Sequence, residues 1–137
     1  MNCLYYNDTL SFLEEYENND DFSSILTNSY RKLYNSTPDS HLINSWRGSI
    51  EYIYGIIKDL IDKKGISLEY IIPASGERAD AILIGMGDNK PSIEIIEVKG
   101  WRKFTYSKNP YLVYADNKRE INPVYQVLNY ERDKIQC

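Results

Sequence analysis

The chain has 137 residues, a net charge of −4, 42% apolar and 26% charged residues, which is ordinary globular composition and enough length for one hydrophobic core but not two comfortable ones. Its longest apolar runs, Tyr70 to Ala74 and Ala81 to Gly87, fall far short of a membrane span, and Met1 to Leu10 shows no basic start with an apolar stretch. Collagen, coiled-coil, disulfide-scaffold and membrane classes are excluded, and no secretory signal is visible.

Residues 1–37 are acidic and rich in Asn and Ser, and are predicted to be a helical N-terminal extension. Two short helices fit there, Thr9 to Glu17 and Asp21 to Tyr34, the second with Asp20 or Asp21 as N-cap and Phe22, Ile25, Leu26, Tyr30 and Leu33 at helical spacing. Pro38 with Asp39 or Ser40 starts a stronger helix. Leu42, Ile43, Trp46, Ile50, Ile53, Ile57, Leu60 and Ile61 recur at steps of three and four, which predicts a long amphipathic helix ending near Lys63-Lys64-Gly65. The period then switches to two. Ile66 to Pro73, Ala79 to Met86 and Ser92 to Lys99 read as strands, the last two joined as a hairpin by the turn Gly87-Asp88-Asn89-Lys90-Pro91. Tyr111 to Ala115 fits a short fourth strand, and Asn122-Pro123 opens a final helix through about Lys134. The expected fold class is α/β: an antiparallel or mixed sheet of about four strands, flanked by the long helix and the C-terminal helix, with residues 38–137 as its core.

Only two cysteines occur, Cys3 and Cys137, with no CxxC spacing, and His41 is the only histidine. A Cys/His zinc site is excluded, and any Ser-His-Asp or Cys-His centre would have to use His41. Free thiols without a signal point to a reducing cytosol, so a cytoplasmic location is expected. Charge is unevenly placed: residues 1–98 carry 8 Lys/Arg against 16 Asp/Glu, whereas residues 99–137 carry 8 against 4. The basic last quarter suits an anion-binding face; an ordinary solvated surface is the plainer alternative.

The third strand, Ile93-Glu94-Ile95-Ile96-Glu97-Val98-Lys99, holds the most informative residues. Alternation puts Glu97 and Lys99 on one face, and charges at the end of an otherwise apolar strand are costly unless paired or bound to a metal. Asp80 starts the preceding strand, and the hairpin brings position 80 roughly opposite positions 98 to 100. Asp80, Glu97 and Lys99 are therefore expected to converge as two carboxylates and an ammonium, a small site for a hard divalent cation such as Mg²⁺. A simple ion pair at a strand end is the alternative. Gln126 and Tyr130, four apart, share a face of the last helix, distinct from that of Val124, Val127 and Leu128, which is expected to pack on the sheet. Trp101, Phe104 and Tyr106 beside Arg102, Lys103 and Lys108 suit either packing or base stacking.

Asp80 and Glu97-Val98-Lys99, with sixteen residues between them, resemble the signature of the PD-(D/E)xK nuclease superfamily on the hairpin where that family carries it. Ala79 stands in place of the proline. Arg78-Ala79-Asp80, Glu97-Val98-Lys99-Gly100-Trp101 and Asn122-Pro123-x2-Gln126-x3-Tyr130 are similar to R-x-D, E-L-K-x-W and H-P-x-x-Q-x3-Y in the nuclease-like N-terminal domain of a bacterial group of DNA/RNA helicase-like proteins. Asn122 replaces the usual His and Val98 the usual Leu. The resemblance covers residues 46–134. It implies a restriction-endonuclease-like core and hydrolysis of phosphodiester bonds in DNA, less readily RNA. It implies Mg²⁺ or Mn²⁺ held by Asp80 and Glu97, with Glu51 as a further ligand from the first core helix. Lys99 would position the attacking water and Gln126 would steady water or phosphate. Arg78, Trp101, Arg102, Lys103 and Tyr130 would contact nucleic acid. A helicase or ATPase partner is also implied, with these residues as an N-terminal piece or minimal version of a larger protein. No GxxxxGK[ST] sequence occurs for a nucleoside triphosphate. A nucleic-acid-binding or protein-interaction module without turnover is the alternative function.

Overall fold

The computed structural model describes the backbone of residues 2–132 and side chains as far as Leu128. In chain order the elements are β1 (Tyr5–Asp8), α1 (Thr9–Asn18), α2 (Ser23–Tyr34), α3 (Ser40–Ile57), β2 (Gly65–Ile71), β3 (Arg78–Gly87), β4 (Lys90–Ile96), β5 (Phe104–Tyr106), β6 (Leu112–Ala115), β7 (Lys118–Ile121) and α4 (Pro123–Arg132). The expected α/β architecture is present. Four strands form one antiparallel sheet in the order β1-β2-β3-β4, and β5-β6-β7 form a second antiparallel sheet.

Local chemistry explains where the helices start. The Asp8 carboxylate accepts the Ser11 N–H at 2.9 Å and opens α1; Asp39 accepts the Leu42 N–H at 2.8 Å and opens α3. Trp46, Ile50, Ile53 and Ile57 recur on one side of α3 and are all buried. The helix stops before the end predicted from its periodicity, and Ile61 is 98% exposed. The cause is a long-range tie: the Thr9 N–H donates to the Lys64 carbonyl at 2.8 Å and the Lys64 N–H donates to Thr9 Oγ1 at 3.1 Å. Residues 58–64 are used to cross to that point, so that β2 can begin at Gly65 opposite Asp8.

The fourth strand of the main sheet is β1, not the segment near 111–115, which instead forms β6 in the second sheet. The N-terminal residues are not an appendage. Leu4, Tyr5, Phe12, Phe22 and Leu26 lie in the same buried cluster as Trp46, Ile53, Ile66, Leu68 and Leu83. Phe22 meets Tyr5 and Phe12 edge-on, with ring centroids 5.2 and 5.4 Å apart.

The β3–β4 and β6–β7 hairpins turn on the same dipeptide. Asp88-Asn89 and Asp116-Asn117 have positive φ at both residues, the requirement of a two-residue turn whose twist matches its strands. Asp and Asn tolerate that region better than other side chains. The first turn leaves Gly87 opposite Lys90. The register therefore carries Ala81 opposite Ile96 rather than opposite the slightly later positions that a five-residue turn predicts.

Candidate active site

At the end of the β3–β4 hairpin the register brings Asp80 and Glu97 together. The Val98 N–H donates to Asp80 Oδ2 at 2.7 Å, and the Asp80 N–H donates to Glu97 Oε1 at 3.4 Å. Each carboxylate thus uses one oxygen on backbone and keeps the other for a partner. Glu97 Oε2 lies 3.7 Å from Lys99 Nζ. The three side chains that the hairpin was expected to gather do meet, although β4 ends at Ile96 instead of running on to Lys99, so Glu97 and Lys99 sit just past the last paired rung, Ala81–Ile96.

A fourth charged group joins them that sequence reasoning passed over. Glu69 stands opposite Asp80, between the paired rungs Leu68–Ala81 and Tyr70–Ala79. Its φ is +53°, a conformation that costs about 1–2 kcal/mol for a side-chain-bearing residue. This twist redirects β2: Ile66 and Leu68 pack toward the helices, whereas Tyr70 and Ile72 join Ala79, Ile82 and Ile95 in a second cluster. Glu69 is only 7% exposed, and Arg78 Nε lies 3.6 Å from its Oε2. The Trp46 indole N–H, buried without a hydrogen bond of ordinary geometry, also bears on this carboxylate. The one available sequence signal was a glutamate inside an otherwise apolar strand, Leu68-Glu69-Tyr70-Ile71.

Burial dominates the electrostatics. Desolvation, then repulsion from Asp80, pushes the Glu69 carboxyl up to about 7, against the pull of Arg78 and Trp46. Glu97 is also pushed up to about 7, first by desolvation and next by Asp80, with Lys99 opposing. Asp80 is raised by desolvation, opposed by the Val98 N–H, Lys99 and Arg78. These carboxyls are raised by burial first and, for Glu69 and Glu97, by repulsion from Asp80 second, so a cation bound beside them would favour their ionised forms. The donor set is all oxygen, which suits a hard cation. Among the described residues no three His, Cys, Asp or Glu side chains surround one metal position. Asp80 and Glu97 are the two that could hold a metal, a number sufficient for Mg²⁺.

The remaining candidates are distributed unevenly. Glu51 is not brought to this cluster. It lines a groove with Asp21 and Arg47, where Arg47 Nη2 and Asp21 Oδ2 pair at 2.8 Å. The correction has a simple cause: the buried stripe of α3 through Trp46, Ile50 and Ile53 faces the core, and Glu51 falls outside it, exposed. Arg78 reaches the cluster through Glu69. Trp101 is near it, with Lys99 Nζ 6.0 Å from its ring centroid. Arg102 and Lys103 are exposed, and their backbone N–H groups donate to the Asp116 carboxylate at 3.0–3.3 Å. Gln126 is half-buried on α4 and lines neither the cavity shared by Glu97, Lys99 and Trp101 nor the groove shared by Glu97, Ile95 and Ile96. The Tyr130 side chain lies outside the described residues. Val124, Val127 and Leu128 line a groove with Ile95, Ile96 and Glu97, yet Val124 and Leu128 remain largely exposed rather than packed on the sheet. His41 is exposed near the start of α3. No helix among the described residues is long and apolar enough to cross a membrane. Comparison of the chain with descriptions of protein families, with curated proteins and with solved structures returns no match.

Proposed function

We propose that this protein is a metal-dependent nuclease that hydrolyses phosphodiester bonds in DNA, on a restriction-endonuclease-like core, and that it works in the cytoplasm beside a helicase or ATPase. The observation that carries this reading is the meeting of Asp80, Glu97 and Lys99 at one end of a single hairpin. Asp80 and Glu97 would hold Mg²⁺ or Mn²⁺ through the oxygens not spent on backbone N–H groups. The bound cation would supply screening of phosphate charge and acidification of a water. Lys99, anchored to Glu97, is placed to orient that water or to offset charge on the phosphate. Glu69 pairs with Arg78 and keeps that guanidinium beside Asp80, which limits the repulsion between the buried carboxylates. Gln126, Tyr130, Arg102 and Lys103 belong to the basic C-terminal quarter that would follow the nucleic-acid backbone.

The test is incubation of plasmid and single-stranded DNA with the protein in Mg²⁺ or Mn²⁺, against chelator and against Lys99→Ala. Cleavage that requires the cation and falls at least about a hundredfold in Lys99→Ala is expected, in line with the loss of one charge-stabilising group. Cleavage unchanged in chelator would overturn the proposal. A second reading, a binding module without turnover, draws on the lack of a third acidic ligand around one position among the described residues. It predicts nucleic-acid binding with no cleavage in any divalent cation.

A further inference from the structure

The second sheet places an aromatic wall next to the charged cluster. By strand alternation Phe104, Tyr106, Val113 and Ala115 share one face of the β5–β6 ladder. Trp101, Phe104, Tyr106 and Val113 line a cavity of about 300 Å³ that Glu97 and Lys99 also line. Val113 and Ala115 beneath the wall are buried at 1% and 2%, whereas Phe104 and Tyr106 stay 54% and 78% exposed. The rings cover the sheet with one side and offer the other to solvent. Trp101 meets Phe104 at 6.3 Å and Phe104 meets Tyr106 at 5.8 Å between centroids, so the three are contiguous. Lys99, 6.0 Å above the Trp101 ring, joins the wall to the charged cluster.

Charge selects the occupant. Residues 99–121 contain six Lys/Arg (Lys99, Arg102, Lys103, Lys108, Lys118, Arg119) against Asp116 and Glu120. A cationic segment carrying exposed rings suits a polyanion that also presents flat aromatic surfaces. In a duplex both faces of each base are covered by its neighbours, and only unpaired bases can stack on a protein ring. We propose that the cavity seats an unpaired base, so that the substrate is single-stranded nucleic acid, with a phosphate next to that base lying at Asp80, Glu97 and Lys99. The substrate assignment rests on the nuclease reading; the base seat itself is tested without metal.

Binding is measured in chelator by fluorescence anisotropy, with a labelled oligothymidylate and a blunt duplex of equal length, for the wild type, Phe104→Ala and Tyr106→Ala, with Phe104→Trp and Tyr106→Phe as ring-preserving controls. Trp101 fluorescence reports stacking directly, because the other tryptophan, Trp46, is 1% exposed. Tyr106→Ala should leave the thermal midpoint unchanged, since its ring is 78% exposed. The expected result is at least about tenfold preference for the single strand, a loss of about fivefold or more in each alanine variant, recovery in the controls and quenching of Trp101. Equal or tighter duplex binding, or alanine variants that bind the single strand like wild type, would overturn the inference. Cleavage assays in Mg²⁺ separate the two proposals. Ring-dependent single-strand binding without cleavage supports the base seat and overturns the nuclease reading. Cation-dependent cleavage of blunt duplex that ignores both rings does the reverse.

Discussion

Glu97 and Glu69 make stability depend on pH in the sense opposite to that of most carboxylates. Both are pushed up to about 7 from an ordinary 4.5, chiefly by desolvation. Between those values the folded chain keeps protons that the unfolded chain has released, so raising the pH favours unfolding. In chelator, stability is expected to fall by on the order of 1–3 kcal/mol between about pH 5 and pH 8, measured by urea titration. Glu97→Gln should flatten that slope and be the more stable protein at pH 8. A wild type that gains stability across this window would refute the electrostatic account. Glu69 gives a second expectation. Glu69→Gln removes a negative charge that acts on Glu97 and with it the ionic partner 3.6 Å from Arg78 Nε. Mn²⁺ affinity, read by electron paramagnetic resonance, should weaken by roughly tenfold, as expected for a neighbouring charge at a semi-buried site. Affinity unchanged in Glu69→Gln would place that residue outside the functional cluster.

The two hairpins rest on one turn dipeptide but differ in how plainly their strands announce themselves. Asp88-Asn89 lies between strands whose apolar residues face a core, Ala81 and Leu83 on one side and Ile82 and Ile95 on the other. Asp116-Asn117 lies between β6, where only Val113 and Ala115 are buried, and β7, which is exposed throughout. Alternation is visible where a face is buried and vanishes where it is not, so only the first hairpin was legible from periodicity. The repeated Asp-Asn pair was the signal that could have revealed the second. Asn117 has φ +67°, and Asn117→Val is expected to cost about 1–2 kcal/mol locally. Hydrogen exchange should then show lost protection across residues 104–121 with residues 65–96 unchanged. Loss spread evenly over both sheets would contradict the separateness of the two ladders.

The N-terminal quarter, residues 1–37, is structural. Of the buried side chains in the main cluster, Leu4, Tyr5, Phe12, Phe22 and Leu26 come from it, and β1 covers the outer edge of β2. Removing residues 1–37 exposes that edge and uncovers the α3 face, at a cost of several large apolar groups worth about 2–5 kcal/mol each. The shortened chain is expected to lose its cooperative unfolding transition by circular dichroism; a sharp transition near that of the full chain would disprove this. On the proposed nuclease reading, the cationic segment 99–121 beside an acidic body predicts that nucleic-acid binding, measured by anisotropy, weakens steeply with salt, as a negative slope of log affinity against log salt; a flat slope would count against that reading.

Local rules were enough for the charged cluster and not for its surroundings. Asp80, Glu97 and Lys99 meet because the two-residue turn at Asp88-Asn89 sets a hairpin register whose last rung, Ala81–Ile96, ends beside them, whatever the rest of the chain does. The helix caps at Asp8 and Asp39 are equally local, though only the second was offered by the sequence, as one of two starts with Ser40. Glu69 enters the cluster because β2 twists there beneath Trp46, a residue of α3, and Glu51 stays out because the packing of α3 turns it toward Asp21 and Arg47. The end of α3 was decided by Thr9, fifty-five residues from Lys64. Periodicity reports which residues share a face; which face is covered, and by what, depends on contacts between segments distant in sequence, and those exist only once the chain has folded.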